Sequence, residues 1–273
     1  MNEIVDRFLL TGRTAIVTGG AGLLGSEFCR TLAAAGASVG VLDLDPRRAG
    51  AVAQQIREEK GIALAIEVDV TDAESLKRAA AGVREAFGEV EILVNSAARD
   101  PKFDPGHRET ATNAFEDLPL AEWEEALKVN LTGIFLTTQA VVPSMLNRGR
   151  GSIVNICSTY GLVGPDQRIY HAEGRPAQFK PVWYSVTKAG VLGFTRYLAT
   201  YFAGKGIRVN ALTPGGVYQD HDAEFVRQYS ARTVLGRMAN KDEMNGALLF
   251  LASDASSYMT GSNLVVDGGW TAW

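Results

Sequence analysis

Short runs of Val, Ile, Leu and Ala alternate along this chain with longer stretches in which apolar residues return every three or four positions. The short runs fall at residues 14–18, 38–42, 63–68, 92–95, 152–156, 208–212 and 263–266. Near-continuous apolarity over so few residues predicts strands covered on both faces, as in a parallel sheet. The longer stretches predict helices over 24–35, 46–60, 73–87, 121–145, 183–203 and 241–253. Pro46 at a helix start and Gly36 just past a helix end follow the usual asymmetry of helix termini. Thr71-Asp72-Ala73-Glu74 supplies a cap for the third helix.

This alternation predicts right-handed βαβ units in an α/β fold. The expected architecture is one domain over 1–273, a doubly wound parallel sheet of about seven strands with helices on both faces. Three stretches break the rhythm: 99–119, 161–181 and 213–240. Each follows the carboxyl end of a strand, where open α/β sheets bind ligands. Loops of this length in a compact domain are usually functional.

Composition narrows the function classes. The 273 residues are 46% hydrophobic and 21% charged, with a formal net charge of −4. The isoelectric point is near 5.5, so no global basic field draws the chain to nucleic acid or an anionic membrane. Cys29 and Cys157 sit in apolar surroundings and read as small core residues. No disulfide framework is expected, and no metal site, because His107, His171 and His221 lack ligand spacing. The first residues carry no signal-peptide profile, and no unbroken apolar run marks a membrane span. A soluble protein of a reducing compartment, the cytoplasm, is expected.

The segment TAIVTGGAGLLGSEF places Gly19, Gly20, Gly22 and Gly25 between the first strand and the first helix. Glycines there allow a tight turn, backbone approach to a pyrophosphate and close packing of helix on strand. Leu23 and Leu24 then stand at a helix N-terminus, whose free N–H groups favour negative charge. Asp43 ends the next strand 18 residues after Gly25, near the distance expected of a ribose-binding acid. A carboxylate there accepts from ribose hydroxyls and repels a 2′-phosphate, so NAD is expected over NADP. Leu44 follows it, and Arg47 and Arg48 read as solvated first-turn charges.

Tyr184 and Lys188 lie four apart in WYSVTKAGVLGF, on one face of a predicted helix. An ammonium one turn from a phenol favours the phenolate and lowers its pKa toward the working range of a general acid/base. Ser158, after the strand in IVNICSTYG, offers a hydroxyl to orient a substrate oxygen.

Taken together, TGGAGLLG, NSAA at 95–98, Asn130 in VNLTG, Ser158, Tyr184, Lys188, Pro214-Gly215 and Val266-Asp267-Gly268-Gly269 resemble the short-chain dehydrogenase/reductase family, in order and over nearly the whole chain. The resemblance implies a hydride transfer between a nicotinamide and a secondary alcohol or ketone. It implies Tyr184 as proton donor or acceptor and Lys188 on the nicotinamide ribose, lowering the tyrosine's pKa. Ser158 would hold the reacting oxygen, and Asn130, through the helix it distorts, a relay water. Asp69 and Val70 would flank the adenine, Asn95 and Ala97 the cofactor ribose, and Pro214, Gly215 and Val217 the nicotinamide. A homotetramer or dimer is implied as well.

Three departures stand out. Leu23 occupies the family's middle glycine position, so glycines 19, 22 and 25 match the spacing of the larger, nucleotide-sugar-modifying branch. Chain length and the C-terminal Asp-Gly-Gly favour the small branch. Ala98 replaces a usual glycine, and 26 residues separate Ser158 from Tyr184, about twice the family's usual gap. The surplus, near 166–180, is expected to form a loop beside the active site.

Both inserted loops are polar, with Arg99, Lys102, His107 and Arg108 in one and Arg168, Tyr170, His171, Arg175 and Lys180 in the other. They favour a hydrophilic small molecule, a sugar or sugar derivative, over a steroid or fatty acyl group. Arg99 or Arg168 would suit a phosphate or carboxylate on it. PDQRIY and PVWYSVTKAGVLGFTRYLATYF are similar to members associated with bacterial surface-sugar and flagellin-glycan synthesis. Two alternatives stay open: a non-catalytic NAD-binding regulatory protein, and a sugar epimerase or dehydratase. The intact Ser158, Tyr184 and Lys188 speak against the first. The mere 85 residues after Lys188 speak against the second, which needs a further substrate domain.

Overall fold

The computed structural model describes residues 3–100, 113–171 and 178–273. Strands β1 (Thr14–Thr18), β2 (Ser38–Asp43), β3 (Ile62–Glu67), β4 (Val90–Asn95), β5 (Gly151–Ile156), β6 (Ile207–Pro214) and β7 (Asn263–Val266) form one sheet. Its order is β3-β2-β1-β4-β5-β6-β7, with every neighbouring pair parallel. The chain builds outward from β1 to β3, returns to lay β4 on the other side of β1, and builds outward again.

Nine helices are described: α1 (Glu3–Asp6), α2 (Leu23–Ala34), α3 (Pro46–Glu58), α4 (Ala73–Phe87), α5 (Leu120–Leu127), α6 (Gly133–Arg148), α7 (Val182–Tyr201), α8 (Ala223–Ser230) and α9 (Asn245–Ala252). The cap expected at Thr71–Glu74 forms, with Asp72 accepting from Glu74 N at 2.8 Å, and Asp45, not named from the sequence, caps α3 ahead of Pro46 by accepting from Arg47 N and Arg48 N.

The fully buried strands feed two cores because side chains alternate across a strand. Val17, Val39, Val41, Ile92, Val94 and Val154 pack with Phe28 and Leu32 of α2, Ile56 of α3 and Leu248 and Leu251 of α9. Ile16, Leu42, Leu93, Ile153 and Val209 face the other way, against Leu76 and Val83 of α4, Val141 and Met145 of α6 and Leu198 of α7. Each large aliphatic side chain so buried contributes about 1.5–3 kcal/mol.

The apolar pattern over 121–145 does not form one helix. It splits into α5, a π-helical turn at Lys128–Thr132, and α6. The continuous run Leu120–Arg148 is long and apolar enough by composition to cross a membrane, although no unbroken apolar stretch marks it. Its apolarity has a local cause: Ile134, Val141 and Met145 are buried against the protein's own core. The stretch 213–240, expected as loop, contains α8, capped by Asp222.

Candidate active site

The turn after β1 is built for backbone approach. Gly19 has φ +61°, and a Cβ there would stand 2.8 Å from the Ala97 Cα. The segment after β4 therefore lies directly on the turn. A Cβ on Gly25 would meet the Gly19 carbonyl oxygen at 2.0 Å, so α2 seats on the turn only because that position is bare. Gly22 caps α2 without a side-chain hydrogen bond. The first-turn N–H groups of Leu23, Leu24 and Gly25 consequently have no acceptor inside the helix. Open N–H groups at the positive end of a helix, reached past side-chain-free backbone, fit the pyrophosphate of a dinucleotide.

Asp43 braces this turn. Its Oδ2 accepts from Ala21 N at 2.9 Å and its Oδ1 from Asp45 N at 3.1 Å. Arg48, read from sequence as a solvated charge, instead donates to the Ala21 carbonyl at 2.7 Å. The start of α3 packs against the glycine turn, and the guanidinium finds the nearest open carbonyl. Leu44, beside Asp43, is exposed. Asp69 accepts from Thr71 N and Oγ1, both at 2.8 Å, which holds its carboxyl below the usual range. Val70 packs on Gly133 at the start of α6.

Asn95 is buried, and its Nδ2 donates to Asn155 Oδ1 at 2.8 Å and Thr138 Oγ1 at 3.2 Å. Its side chain thus serves an interior network linking β4, β5 and α6. Ala97 N and Ser96 N both approach Thr18 Oγ1 at 3.3 Å, tying β4's end to β1's. Across the cleft, Gly215 N donates to the Val266 carbonyl at 2.8 Å, next to Pro214 at the end of β6. Val217 pairs with Ala239 in an isolated parallel bridge.

Ser158, Tyr184 and Lys188 come together. Ser158 is extended and caps the 3-10 turn Thr159–Gly161, accepting from Tyr160 N at 3.3 Å. That turn reaches α7 because Gly161 is bare: a Cβ there would lie 2.7 Å from the Lys188 main-chain carbon. The Tyr184 phenol lies near enough to Ser158 for that side chain to favour its ionised form. Lys188 Nζ lies 5.8 Å from the Tyr184 ring centroid and donates to the Ile156 carbonyl at 3.0 Å.

Burial pushes the Tyr184 phenol well above its ordinary pKa, the charge of Asp100 adds to the rise, and Ser158 opposes it. Burial also lowers Lys188. The sequence reading had Lys188 depressing the tyrosine. In this geometry the ammonium is turned to the main chain, and desolvation of the phenolate outweighs it.

Asn130 lies in the π-helical turn, as the expected helix distortion requires. Its amide takes both main-chain groups of Arg99, accepting from the N–H at 2.6 Å and donating to the carbonyl at 3.1 Å. It also donates to Thr187 Oγ1 at 3.2 Å, one position before Lys188. Asn130 therefore joins the segment after β4 to α7.

Several neighbours were not singled out from the sequence. Tyr160 stands edge-on to Tyr184 with centroids 6.5 Å apart, and its hydroxyl accepts from Tyr170 OH at 2.9 Å. Trp270 stacks on Tyr229 at 4.2 Å and meets Tyr160 edge-on. Tyr229 OH in turn accepts from Gly216 N at 2.6 Å. Of this wall only Tyr170 was named from the sequence; Gly268 and Gly269, with φ +65° and +84°, turn Trp270 inward.

The two arginines offered for an anionic substrate are engaged within the protein. Arg168 forms a bidentate pair with Asp166 at 2.7 and 2.8 Å, and Arg232 takes the same carboxylate at 2.7 Å. Arg99 pairs with Glu122 at 3.5 Å and lies over Trp183. Lys102, His107, Arg108 and Arg175 lie outside the described residues.

The comparisons agree with this geometry. A family model described as enoyl-(acyl carrier protein) reductase, of the short-chain alcohol dehydrogenase type, matches residues 20–271. The chain is 36% identical over 269 residues to D-threitol dehydrogenase of Mycolicibacterium smegmatis, covering 97% of this chain and 95% of that one. It is 38% identical over 274 residues to galactitol 2-dehydrogenase (L-tagatose-forming) of Cereibacter sphaeroides, covering 97% and 98%. The fold superposes on a gluconate 5-dehydrogenase of Burkholderia cenocepacia, solved with NADP and tartrate, at a TM-score of 0.85, with 31% identity and full coverage of both chains. A glycine turn at the switch point of a doubly wound sheet, a Ser-Tyr-Lys constellation and these relatives lead to one conclusion: the chain belongs to the short-chain dehydrogenase/reductase family and is an oxidoreductase of the kind that acts on CH–OH groups.

Proposed function

We propose that the protein is an NAD-dependent dehydrogenase of a polyol or sugar derivative, interconverting a secondary alcohol and its ketone. The observation that carries the reading is the convergence of Ser158, Tyr184 and Lys188, with Ser158 acting on the Tyr184 phenol and Lys188 one helical turn on, beside a turn shaped for a dinucleotide. Ser158 would donate to the carbinol oxygen and fix its direction. Tyr184, as phenolate, would accept the hydroxyl proton during oxidation and return it during reduction. Lys188, buried beside Tyr184, would hold the nicotinamide ribose. The nicotinamide, when bound, accepts or supplies the hydride.

The substrate class is supported by the surroundings of Tyr184, where Tyr160, Tyr170, Tyr229 and Trp270 pack on one another as an aromatic wall and the nearby charges are engaged. Because Arg99 and Arg168 are ion-paired, a neutral polyol fits the described residues better than a phosphorylated sugar. The threitol and galactitol relatives act on such alcohols. NAD is favoured because the Asp43 carboxylate lies against the glycine turn, where a 2′-phosphate would meet its charge. A homo-oligomer is proposed on the apolar face around Phe135, half exposed and flanked by Leu131 and Phe194; light scattering tests it. The cytoplasm is proposed as its place, in keeping with two buried, unpaired cysteines.

The test is NADH formation from a panel of tetritols, hexitols and sugar acids, with NAD and NADP side by side. Turnover with NAD that falls by about 10²–10⁴ in Tyr184→Phe is expected. Equal turnover by wild type and Tyr184→Phe overturns the mechanism, and a stronger response to NADP overturns the cofactor assignment.

A further inference from the structure

The segments that follow β4 and β5 each bring a charge to Tyr184, and each is anchored by a side-chain amide. Asp100 follows Arg99, whose main-chain N–H and carbonyl are both held by Asn130. Lys180 is held in the same manner by Gln167: its N–H donates to Oε1 at 2.8 Å, and its carbonyl accepts from Nε2 at 3.1 Å. An amide that takes both main-chain groups of one residue fixes that residue's position and direction.

From these anchors the side chains meet. Lys180 Nζ lies 2.8 Å from Asp100 Oδ1 and 3.9 Å from the centroid of the Tyr184 ring. Lys188 is farther from that ring, at 5.8 Å. The Lys180 side chain is 9% exposed, whereas that of Asp100 is 63% exposed. A withdrawn ammonium needs compensation, and this one has a carboxylate and an aromatic face. A lysine with no role beyond solubility would extend into water.

We propose that Lys180 is a positioning residue for proton transfer, a second cation that favours the Tyr184 phenolate, with Asp100 as the counter-charge that restrains it. This rests on the reading of Tyr184 as the acid/base. Among the described residues, the groups facing the phenol are Lys188 on its own helix, Ser158 and Cys157 after β5, Tyr160 and Tyr170 from the 3-10 turns beyond, and the Lys180–Asp100 pair. After burial, the charge of Asp100 is the largest influence raising the proton affinity of Tyr184. The pair therefore contains one group pushing each way. Its removal from either side gives shifts of opposite sign.

The experiment is an ultraviolet titration of tyrosinate in wild type, Lys180→Met, Lys180→Arg and Asp100→Asn, each subtracted from the same protein carrying Tyr184→Phe. Lys180→Met should raise the Tyr184 midpoint by about one pH unit, and Asp100→Asn should lower it by about as much. Lys180→Arg should restore the wild-type midpoint. The pH profile of kcat/KM for alcohol oxidation should move in the same directions. Unchanged midpoints, shifts of the same sign, or no Tyr184 signal across the alkaline range would each overturn the proposal. If Lys180→Met fails to fold by circular dichroism, Asp100→Asn decides it alone. Opposed shifts in a protein that oxidises no polyol would uphold the charge pair and sink the substrate assignment. Turnover unaffected by Tyr184→Phe would remove the premise itself.

Discussion

Replacing Gly25 by alanine tests the dinucleotide cleft at its tightest point. The added Cβ would lie 2.0 Å from the Gly19 carbonyl oxygen, 2.9 Å from the Gly19 carbon and 3.1 Å from the Gly20 Cα. Real Cβ atoms do not approach within 3.0 Å, so α2 and the turn must separate by at least 3.0 − 2.0 = 1.0 Å. The neighbours are backbone, so no flexible side chain can absorb the displacement. An N–H···O bond near 2.9 Å would lengthen to about 3.9 Å, beyond hydrogen-bonding range. If two of the α2 N–H groups hold the pyrophosphate at about 1.5–3 kcal/mol each, the loss is about 3–6 kcal/mol. At about 1.4 kcal/mol per decade, NADH affinity should fall by about a hundredfold or more.

Calorimetric titration of NADH into wild type and Gly25→Ala measures this, with circular dichroism to confirm the fold. Gly193→Ala is the control, since nothing lies within 4 Å of its Cβ and it sits inside α7. It should bind NADH as wild type does and gain about 0.5–1 kcal/mol in stability. A folded Gly25→Ala that binds NADH within threefold of wild type would refute the placement of the pyrophosphate.

Asp43→Ser should raise the NADP-to-NAD ratio of kcat/KM at least tenfold, with the guanidinium of Arg48 at Ala21 available to a 2′-phosphate; an unchanged ratio in steady-state assays would dismiss Asp43 as the discriminator. Asn155→Ala should cost about 1–3 kcal/mol in urea unfolding, because fully buried Asn155 accepts from Asn95 and donates to Thr195, and its loss leaves each with one buried hydrogen bond fewer. Burial would raise the carboxyl of Glu27, but Lys241 at 2.9 Å, Asn245 and Arg30 outweigh it and hold the folded pKa below the ordinary 4.5. A depressed folded pKa gives stability that is present above pH 4.5 and lost as pH falls through the folded value. The urea midpoint of Glu27→Gln should therefore fall less steeply with acid below pH 4.5 than that of wild type, and parallel slopes would refute the pairing.

The central strands were legible because burial on both faces leaves a continuous apolar run, complete in β1, β4 and β5, while the edge strands β3 and β7 keep the apolar run with less burial. The glycine turn, Asp43, and the Tyr184–Lys188 spacing were legible because each is local: a turn, a strand end, one helical face. The break of the apolar run at Lys128–Thr132 was not, since the hydrophobic period passes through the π-helical turn unaltered. Nor was the fate of the charges. Arg168 looked free until Asp166 and Arg232 were seen to share one site, and Arg48 until α3 folded back on Ala21.

The sequence by itself determined the sheet, the glycine turn after β1 and the placing of Tyr184 and Lys188 on one helical face, because periodicity and short-range spacing encode them. Only the tertiary structure decided that Lys180, 80 positions from Asp100, stands with it over Tyr184, and that Trp270 closes the aromatic wall. Charge pairing and aromatic stacking depend on distance in space, which a linear pattern carries only where the chain stays local.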